Sequence, residues 1–281
     1  MRKSIDILAN LFTPKSIQEE YVEGAEKEQF ARVGRETTVR GYEPDEFVQY
    51  LDTNGIERIQ ITAMTIPDPW NMNWMTKVAP TEVADAARSC PGRVYGLYGC
   101  TPPSALARVA EFEHYVKTEG FRGLHIHPHG FGLPPNHAYF FPWYAKAVEL
   151  DVPVIVSMGT TLALLGIEVA RPVYLDDVAL YFPDLKLVCG HTGYPWIEEA
   201  IAVVWKHANL YIGTSAHAPK YWKPELVQFL NSRRGRNKVM FATDWPLIQH
   251  GEALKQIEEL GLRDESVDAL LYDNAARLFG Y

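Results

Sequence analysis

The chain has 281 residues, with 47% hydrophobic residues, 22% charged residues and a formal net charge of −8. This composition supports a folded core and excludes wholesale disorder, and the negative balance argues against a nucleic-acid or anionic-membrane partner. No apolar run approaches the ~20 residues that a membrane-spanning helix needs. Three well-separated cysteines without a CxxC pair favour a reduced, cytoplasmic setting. The first ten residues do not resemble a signal peptide.

Eight short β-branched or apolar runs are predicted to form strands. In chain order they are 4–12, 58–63, 93–100, 123–127, 153–158, 186–190, 209–213 and 238–243. Helical patterns are predicted at 44–54, 80–89, 104–119, 141–150, 169–182, 195–206, 224–232, 251–260 and 265–279. This alternation is typical of βα units around a parallel sheet. Eight units in this length predict one α/β domain over residues 1–281, a (β/α)₈ TIM barrel.

Residues 13–41 do not follow this alternation. The segment is charged and irregular, and it comes directly after the first predicted strand. Because the carboxyl end of a barrel strand opens at the mouth of the barrel, we interpret residues 13–41 as an insertion that lies over the mouth.

Three histidines lie close together at the end of the fourth predicted strand. His125 and His127 alternate along it, which places both imidazoles on one face, towards the barrel lumen. Imidazoles at this spacing can bind a divalent metal, although two buried histidines that bond to their neighbours would give the same pattern. His129 follows Pro128 and is predicted to contact a substrate instead.

Two further groups stand at the ends of the sixth and eighth strands, where barrels keep their catalytic residues. His191 precedes a Thr-Gly turn and is a candidate base or metal ligand, or a structural histidine bonded to a loop. Asp244 follows an apolar run, so its carboxylate is expected to be desolvated and to need a partner. Trp70, after the second strand, and Trp245 are predicted to line a substrate pocket, although packing within an ordinary loop would equally explain Trp70.

Three segments together resemble a known family. They are 190–193 (GHTG), 242–246 (ATDWP) and 272–280 (YDNAARLFG). These motifs, in this order over nearly the whole chain, resemble the amidohydrolase-related family that includes aminocarboxymuconate-semialdehyde decarboxylase. The resemblance implies a distorted TIM barrel. It also implies a metal-dependent hydrolase or carboxy-lyase that acts on a small carboxylated, aromatic or lactone-like substrate.

The chain departs from the family pattern at the metal ligands. The family's first strand reads Asp-x-His-x-His, and Leu8 and Asn10 stand at its two histidine positions. Ser157 stands at the strand-five ligand histidine, while His191 and Asp244 match the remaining family residues. Leucine cannot bind zinc, and neutral Asn and Ser replace imidazole poorly. The standard metal centre is therefore not expected, and Asn10 and Ser157 become candidate substrate contacts.

Three interpretations follow from this loss. In the first, the protein is a metal-independent enzyme in which Asp244 and His191 supply acid–base chemistry. In the second, the site has moved, and His125 or His127 binds one divalent metal, most simply zinc, with His191 and Asp244. In the third, the chain is a ligand-poor subunit that pairs with a metal-bearing chain of the same fold, as in heteromeric oxygenases of this kind.

The partners predicted under these interpretations are a small-molecule substrate and further protein subunits. Relatives of this fold are often dimers or larger, so a homo-oligomer or a hetero-oligomer with another amidohydrolase-fold chain is expected. An acidic substrate would require a cation at the mouth, for which Arg35, Arg40 and Lys220 are candidates.

Overall fold

The computed structural model describes residues 2–68, 73–102 and 105–281. In chain order the strands of these residues are β1 (Ser4–Ala9), β2 (Ile56–Thr62), β3 (Met64–Asp68), β4 (Asn73–Val78), β5 (Val94–Gly99), β6 (Gly123–Ile126), β7 (Val154–Ser157), β8 (Leu187–Gly190), β9 (Leu210–Gly213) and β10 (Val239–Met240). Eight of them form a parallel sheet in the order β1-β2-β5-β6-β7-β8-β9-β10. Strands β3 and β4 form a separate antiparallel hairpin.

Helices follow most of the strands, as the alternation predicts. They are α1 (Pro14–Ile17), α2 (Glu26–Arg32), α3 (Pro44–Thr53), α4 (Pro80–Ser89), α5 (Ala105–Thr118), α6 (Pro128–Phe131), α7 (Phe141–Glu149), α8 (Tyr174–Tyr181), α9 (Ile197–Lys206), α10 (Pro224–Leu230), α11 (His250–Glu258), α12 (Asp264–Asp268) and α13 (Asn274–Phe279). No helix in the described ranges is long and apolar enough to cross a membrane.

The predicted TIM barrel is confirmed, and irregular backbone contacts bring its first and last strands together. The Asp244 amide donates to the Leu8 carbonyl at 2.9 Å, and the Asn10 amide donates to the Trp245 carbonyl at 2.7 Å. These two bonds place the carboxyl end of β1 directly beside the segment that follows β10. Side chains from the two segments therefore meet at the barrel mouth.

The lumen below the mouth is filled with apolar side chains. Ile7, Leu97, Ile155 and Val188 are fully buried in one cluster, which also includes Leu278 of α13. Burial of each large aliphatic side chain stabilises the fold by about 1.5–3 kcal/mol. Among the described residues, the lumen is thus a packed core below the strand ends.

Strand β10, the eighth strand of the barrel, is shorter than the predicted 238–243. The Thr214 side chain takes the place of a backbone partner beyond its end. Thr214 Oγ1 donates to the Ala242 carbonyl at 3.0 Å, and the Ala242 amide lies 2.9 Å from the same oxygen. The chain then turns at Asp244, where φ is +57°. Regular β structure therefore ends at Met240, the second residue of β10.

Two other differences concern local structure that the sequence pattern did not predict. The β3–β4 hairpin occupies a stretch after β2 that carries no alternating strand signal. The predicted last helix, 265–279, is interrupted by a π-helical turn at Ala269–Asp273. After this turn the Asn274 side chain donates to the Arg236 and Val239 carbonyls, each at 2.8 Å, and so fixes α13 against β10.

Residues 13–41, predicted as an insertion, begin and end at neighbouring points of the fold. The Tyr42 amide donates to the Phe12 carbonyl at 2.9 Å. Between these residues lie α1, a π-helical turn at Gln18–Val22 and α2. Lys15 forms an ion pair with Glu82 of α4 at 2.8 Å, which ties the segment to the barrel.

Candidate active site

A cavity of about 130 Å³ lies at the carboxyl ends of the strands. Its lining combines polar strand-end residues with residues of the 13–41 segment. The strand-end residues include Asn10, His125, His127, Ser157, His191 and Asp244. The 13–41 segment contributes Tyr21, Glu26, Gln29 and Phe30. The structure therefore brings six of the sequence-predicted site residues together in one cavity.

His125 is held in place through both of its ring nitrogens. Its Nδ1 lies 3.0 Å from Thr62 Oγ1, and its Nε2 lies 2.8 Å from Ser157 Oγ. Burial disfavours the charged imidazolium and lowers the pKa of His125 to about 4. His125 is therefore neutral at physiological pH, and both nitrogens already have partners.

His127 and His129 differ in their relation to the cavity. His127 lies just beyond the end of β6 and lines the cavity, and within the described residues its buried Nδ1 has no hydrogen-bond partner. Burial lowers its pKa well below the usual value, with a further contribution from His129. His129 lies in α6 outside the cavity lining, where its Nε2 is 2.7 Å from the Gly159 carbonyl oxygen. This contact ties His129 to the loop after β7.

His191 occupies a strained turn at the end of β8. Its φ is +54°, a region that non-glycine residues rarely adopt and that recurs at active sites. Ser215 Oγ lies 2.8 Å from the ring Nδ1 and accepts from the His191 backbone amide at 3.2 Å. Burial lowers the pKa of His191 to about 3, and the histidine His125 contributes to the shift. The ring is neutral and presents its Nε2 edge for other contacts.

Asp244 is a partly buried carboxyl group that faces the cavity. The Asn10 side chain donates to its Oδ1 at 3.2 Å. Burial raises the pKa of Asp244 to about 7, the Asn10 hydrogen bond opposes the shift, and nearby Asp6 adds to it. Asp244 therefore exchanges a proton near neutral pH, which an ordinary aspartate does not.

The two predicted tryptophan contacts have different outcomes. Trp245 is 1% exposed and packs against Tyr42, Phe47 and Tyr50, away from the cavity lining. Trp245 thus packs in an aromatic cluster beside the turn at Asp244. Trp70 lies outside the described residues.

The donor groups near the cavity do not fit a metal ion. Within the described residues, no group of three or more His, Cys, Asp or Glu side chains could hold one. His125 has both nitrogens occupied, and the Asp244 carboxylate accepts from Asn10. Asn10 and Ser157, at positions where the resemblance implies ligand histidines, bond to the neighbouring site residues instead.

Glu26 is a cavity residue that the sequence pattern did not predict. It lies in α2, lines the cavity, and accepts a hydrogen bond from Thr76 Oγ1 at 3.1 Å. Burial raises the pKa of Glu26 to about 7, and Asp244 is among the negative groups that add to the shift. The sequence predicted that residues 13–41 cover the barrel mouth. That prediction was the one indication that a polar residue of this segment would face the site.

The three candidate cations form ion pairs outside the cavity lining. Arg35 lies 2.7 Å from Glu252, and Lys220 lies 3.7 Å from the same carboxylate. Arg40 pairs with Glu46 at 3.4 Å. Among the described residues, no lysine or arginine lines the cavity. Any anion bound there would depend on neutral hydrogen-bond donors.

The family model described as amidohydrolase matches residues 17–281. The chain belongs to the amidohydrolase family. It is similar to the decarboxylase orsB of Emericella nidulans, with 26% identity over 222 residues. That match covers 61% of this amidohydrolase-family chain and 65% of the relative, which is less than two thirds of the relative's length.

Solved structures share the barrel. A TIM-barrel protein from Bordetella bronchiseptica superposes with a TM-score of 0.79 and 21% identity, covering 99% of this chain and 98% of that protein. The 5-carboxyvanillate decarboxylase of Novosphingobium aromaticivorans, complexed with manganese and 4-hydroxy-3-methoxy-5-nitrobenzoic acid, gives a TM-score of 0.73 and 18% identity. Its match covers 100% of this chain and 96% of that protein. At these identities the similarity shows the fold alone.

Proposed function

We propose that this protein decarboxylates a small hydroxylated aromatic carboxylic acid, with Asp244 as the proton donor. The observation that carries the proposal is the position of Asp244: it faces a cavity at the strand ends, and Asn10 orients its carboxyl group. The raised pKa of Asp244 supports this role, because a general acid works best when its pKa lies near the operating pH. The similarity to decarboxylases points to the same reaction class.

The proposed reaction needs one proton and no oxidant. Asp244 gives its proton to the ring carbon that carries the carboxylate, and a C–H bond forms there. The C–C bond to the carboxylate then breaks, its electron pair returns to the ring, and CO₂ leaves. The Asp244 carboxylate takes a proton from water to complete the cycle, so the net reaction consumes one proton.

Neutral imidazoles are proposed to orient the substrate. His127 has an unpartnered buried Nδ1 within the described residues, and a substrate oxygen would satisfy it. His191 is neutral, and Ser215 fixes its ring through Nδ1. We assign both residues to substrate binding, with Ser157 and Asn10 holding His125 and Asp244 in position.

This proposal uses no resident metal. The manganese of the Novosphingobium decarboxylase makes a divalent ion a reasonable expectation for the fold, but the donors described above do not converge on one position. Zinc bound by His127, His191 and Asp244, the relocated site predicted from the sequence, would require these side chains to rearrange. Metal analysis of the purified protein distinguishes the two cases.

The experiment that tests the function is a search for CO₂ release. The purified chain is incubated with mono- and dihydroxybenzoic acids in D₂O, and the products are analysed by mass spectrometry. The proposal predicts a phenolic product with one deuterium at the carbon that carried the carboxyl group. A chain that decarboxylates no member of the panel, with its fold intact, would contradict the proposal.

The second candidate function is a subunit that supports a metal-bearing partner of the same fold. The observation in its favour is the loss of ligand imidazoles at Leu8, Asn10 and Ser157. Light scattering and assay of the chain purified alone separate the alternatives. Activity of a homogeneous single-chain preparation supports the decarboxylase, whereas activity only after addition of a second family member supports the subunit role. A small-molecule substrate and an oligomeric assembly are part of the proposal in either case.

A further inference from the structure

Helix α2 presents two polar side chains to the cavity that the proposed mechanism does not use. Glu26 and Gln29 are three residues apart, so they lie on the same face of the helix. Both line the cavity, alongside the apolar Tyr21 and Phe30 rings. The exposed Glu28 lies between them in sequence and points elsewhere.

Gln29 carries a buried acceptor without a donor. The residue is 6% exposed, and its Nε2 donates to the Ala25 carbonyl at 3.3 Å. Its Oε1 is buried and has no hydrogen-bond partner in the described part of the chain. Buried polar atoms are nearly always hydrogen-bonded in folded proteins, so an unpaired amide oxygen in a cavity wall indicates a place for a ligand donor.

Glu26 offers the complementary group. Thr76 Oγ1 donates a hydrogen bond to Glu26 Oε1 at 3.1 Å. Among the described residues, Glu26 Oε2 accepts no hydrogen bond. Burial favours the protonated form and raises its pKa to about 7, with Asp244 adding to the shift. The positive charge of Arg32 opposes this shift in the pKa of Glu26, and the Arg32 guanidinium donates to the Leu162 carbonyl at 2.6 Å. The Glu26 carboxyl group can therefore act as a donor inside the cavity.

We propose that Glu26 and Gln29 form a recognition edge for a hydroxyl group on the substrate ring. The hydroxyl hydrogen is donated to Gln29 Oε1, and the hydroxyl oxygen accepts from the Glu26 carboxyl group. A phenolic hydroxyl satisfies both partners because it is a donor and an acceptor at once. This inference rests on the proposed function in that it takes the cavity as the substrate site.

The test compares two non-reacting ligands that differ by one hydroxyl group, 4-nitrophenol and nitrobenzene. Binding to the purified protein is measured by titration calorimetry in mildly acidic buffer, where the phenol is neutral. The proposal predicts that the wild-type protein binds 4-nitrophenol about tenfold more tightly than nitrobenzene. Gln29→Leu and Glu26→Leu should each remove this preference by weakening 4-nitrophenol binding alone.

Conservative and remote variants separate recognition from structure. Glu26→Gln keeps an acceptor for Thr76 and supplies an amide donor, so it should retain most of the preference. Glu28→Gln, on the exposed face of the same helix, should leave both affinities unchanged. Equal wild-type affinities, no binding of 4-nitrophenol, or equal weakening of both ligands in the Leu variants would each overturn the inference. Because neither ligand has a carboxyl group, this result is independent of whether the protein decarboxylates anything.

Discussion

The side-chain amide of Asn10 donates a hydrogen bond to the carboxylate of Asp244 at 3.2 Å. Asn10 stands where the family resemblance places a ligand histidine, and Asp244 matches the ligand aspartate. A contact that would otherwise run through a metal ion is thus a direct hydrogen bond. Ser157, at another position where the resemblance places a ligand histidine, also forms a direct hydrogen bond, since its Oγ lies 2.8 Å from His125 Nε2.

Replacement of the proposed proton donor is expected to abolish most activity. Asp244→Asn keeps the size of the side chain and removes the proton, so kcat for decarboxylation should fall about 10²–10⁴-fold. Circular dichroism should show an unchanged fold. A variant that keeps more than a tenth of the wild-type kcat would assign Asp244 a purely structural role.

The activity is expected to fall as the pH rises through the neutral range. Asp244 must be protonated to donate, and its pKa is raised to about 7. The rate constant kcat/KM should therefore be constant between about pH 5 and 6 and fall tenfold per unit well above pH 7. The site imidazoles add no transition there, because burial lowers the pKa of His125 to about 4 and that of His191 to about 3.

Glu26 also has a pKa raised to about 7, so its titration must be separated from that of Asp244. The Glu26→Gln variant has no ionisable group at this position. Its kcat/KM should keep the fall above pH 7 if Asp244 is the proton donor. Loss of that fall in Glu26→Gln would transfer the role to Glu26.

Asn10 is expected to set the position of the pH transition. Its hydrogen bond favours the ionised form of Asp244 and so lowers the pKa of this carboxyl group. Asn10→Ala should therefore move the fall in kcat/KM to higher pH, by roughly half a unit to one unit. The exposed Asn237→Ala is the matched control and should leave the profile unchanged. A shift to lower pH in Asn10→Ala would contradict the assignment.

Asp244 is also expected to make the fold less stable as the pH rises. Its pKa is higher in the folded protein than in the unfolded chain, so the folded state binds more protons between about pH 4 and pH 7. The free energy of unfolding therefore decreases as the pH rises through this window. At pH 8, Asp244→Asn should be more stable than the wild type by about 1–3 kcal/mol, a value reduced for the partial exposure of the group.

Urea denaturation of the wild type and Asp244→Asn at pH 5 and pH 8 measures this effect. The advantage of the variant should be largest at pH 8 and small at pH 5. An advantage of equal size at both pH values would show that the carboxyl group titrates normally in the folded protein.

The sequence predicted the barrel because short apolar or β-branched runs alternate with helical patterns along the chain, and this alternation is visible without tertiary information. It also placed His125, His127, His191 and Asp244 at one mouth, since strand ends converge in a barrel. The boundary of the eighth strand was wrong because the Thr214 hydroxyl takes over part of the ladder at Ala242. A hydroxyl group that takes the place of a backbone partner does not change the hydrophobic periodicity of the sequence, so the pattern could not predict this boundary.

The contribution of α2 was predicted only in outline. The position of residues 13–41 after the first strand indicated a cover for the mouth, but which polar residue faces inward depends on how the segment folds back. Glu26 and Gln29 do so, while Glu28 remains exposed. His129 and Trp245 were assigned to the substrate from their neighbours in sequence, and both pack outside the cavity lining.

The most direct test of the account measures decarboxylation and metal content on one sample. Protein treated with a strong chelator is analysed for zinc, iron and manganese and then assayed with the best hydroxybenzoic acid of the panel, beside Asp244→Asn. The account predicts that the chelated wild type, with far less than one metal ion per chain, keeps its full rate of CO₂ release and that Asp244→Asn does not. Activity that disappears with the metal and returns on addition of Mn²⁺ or Zn²⁺ would contradict it.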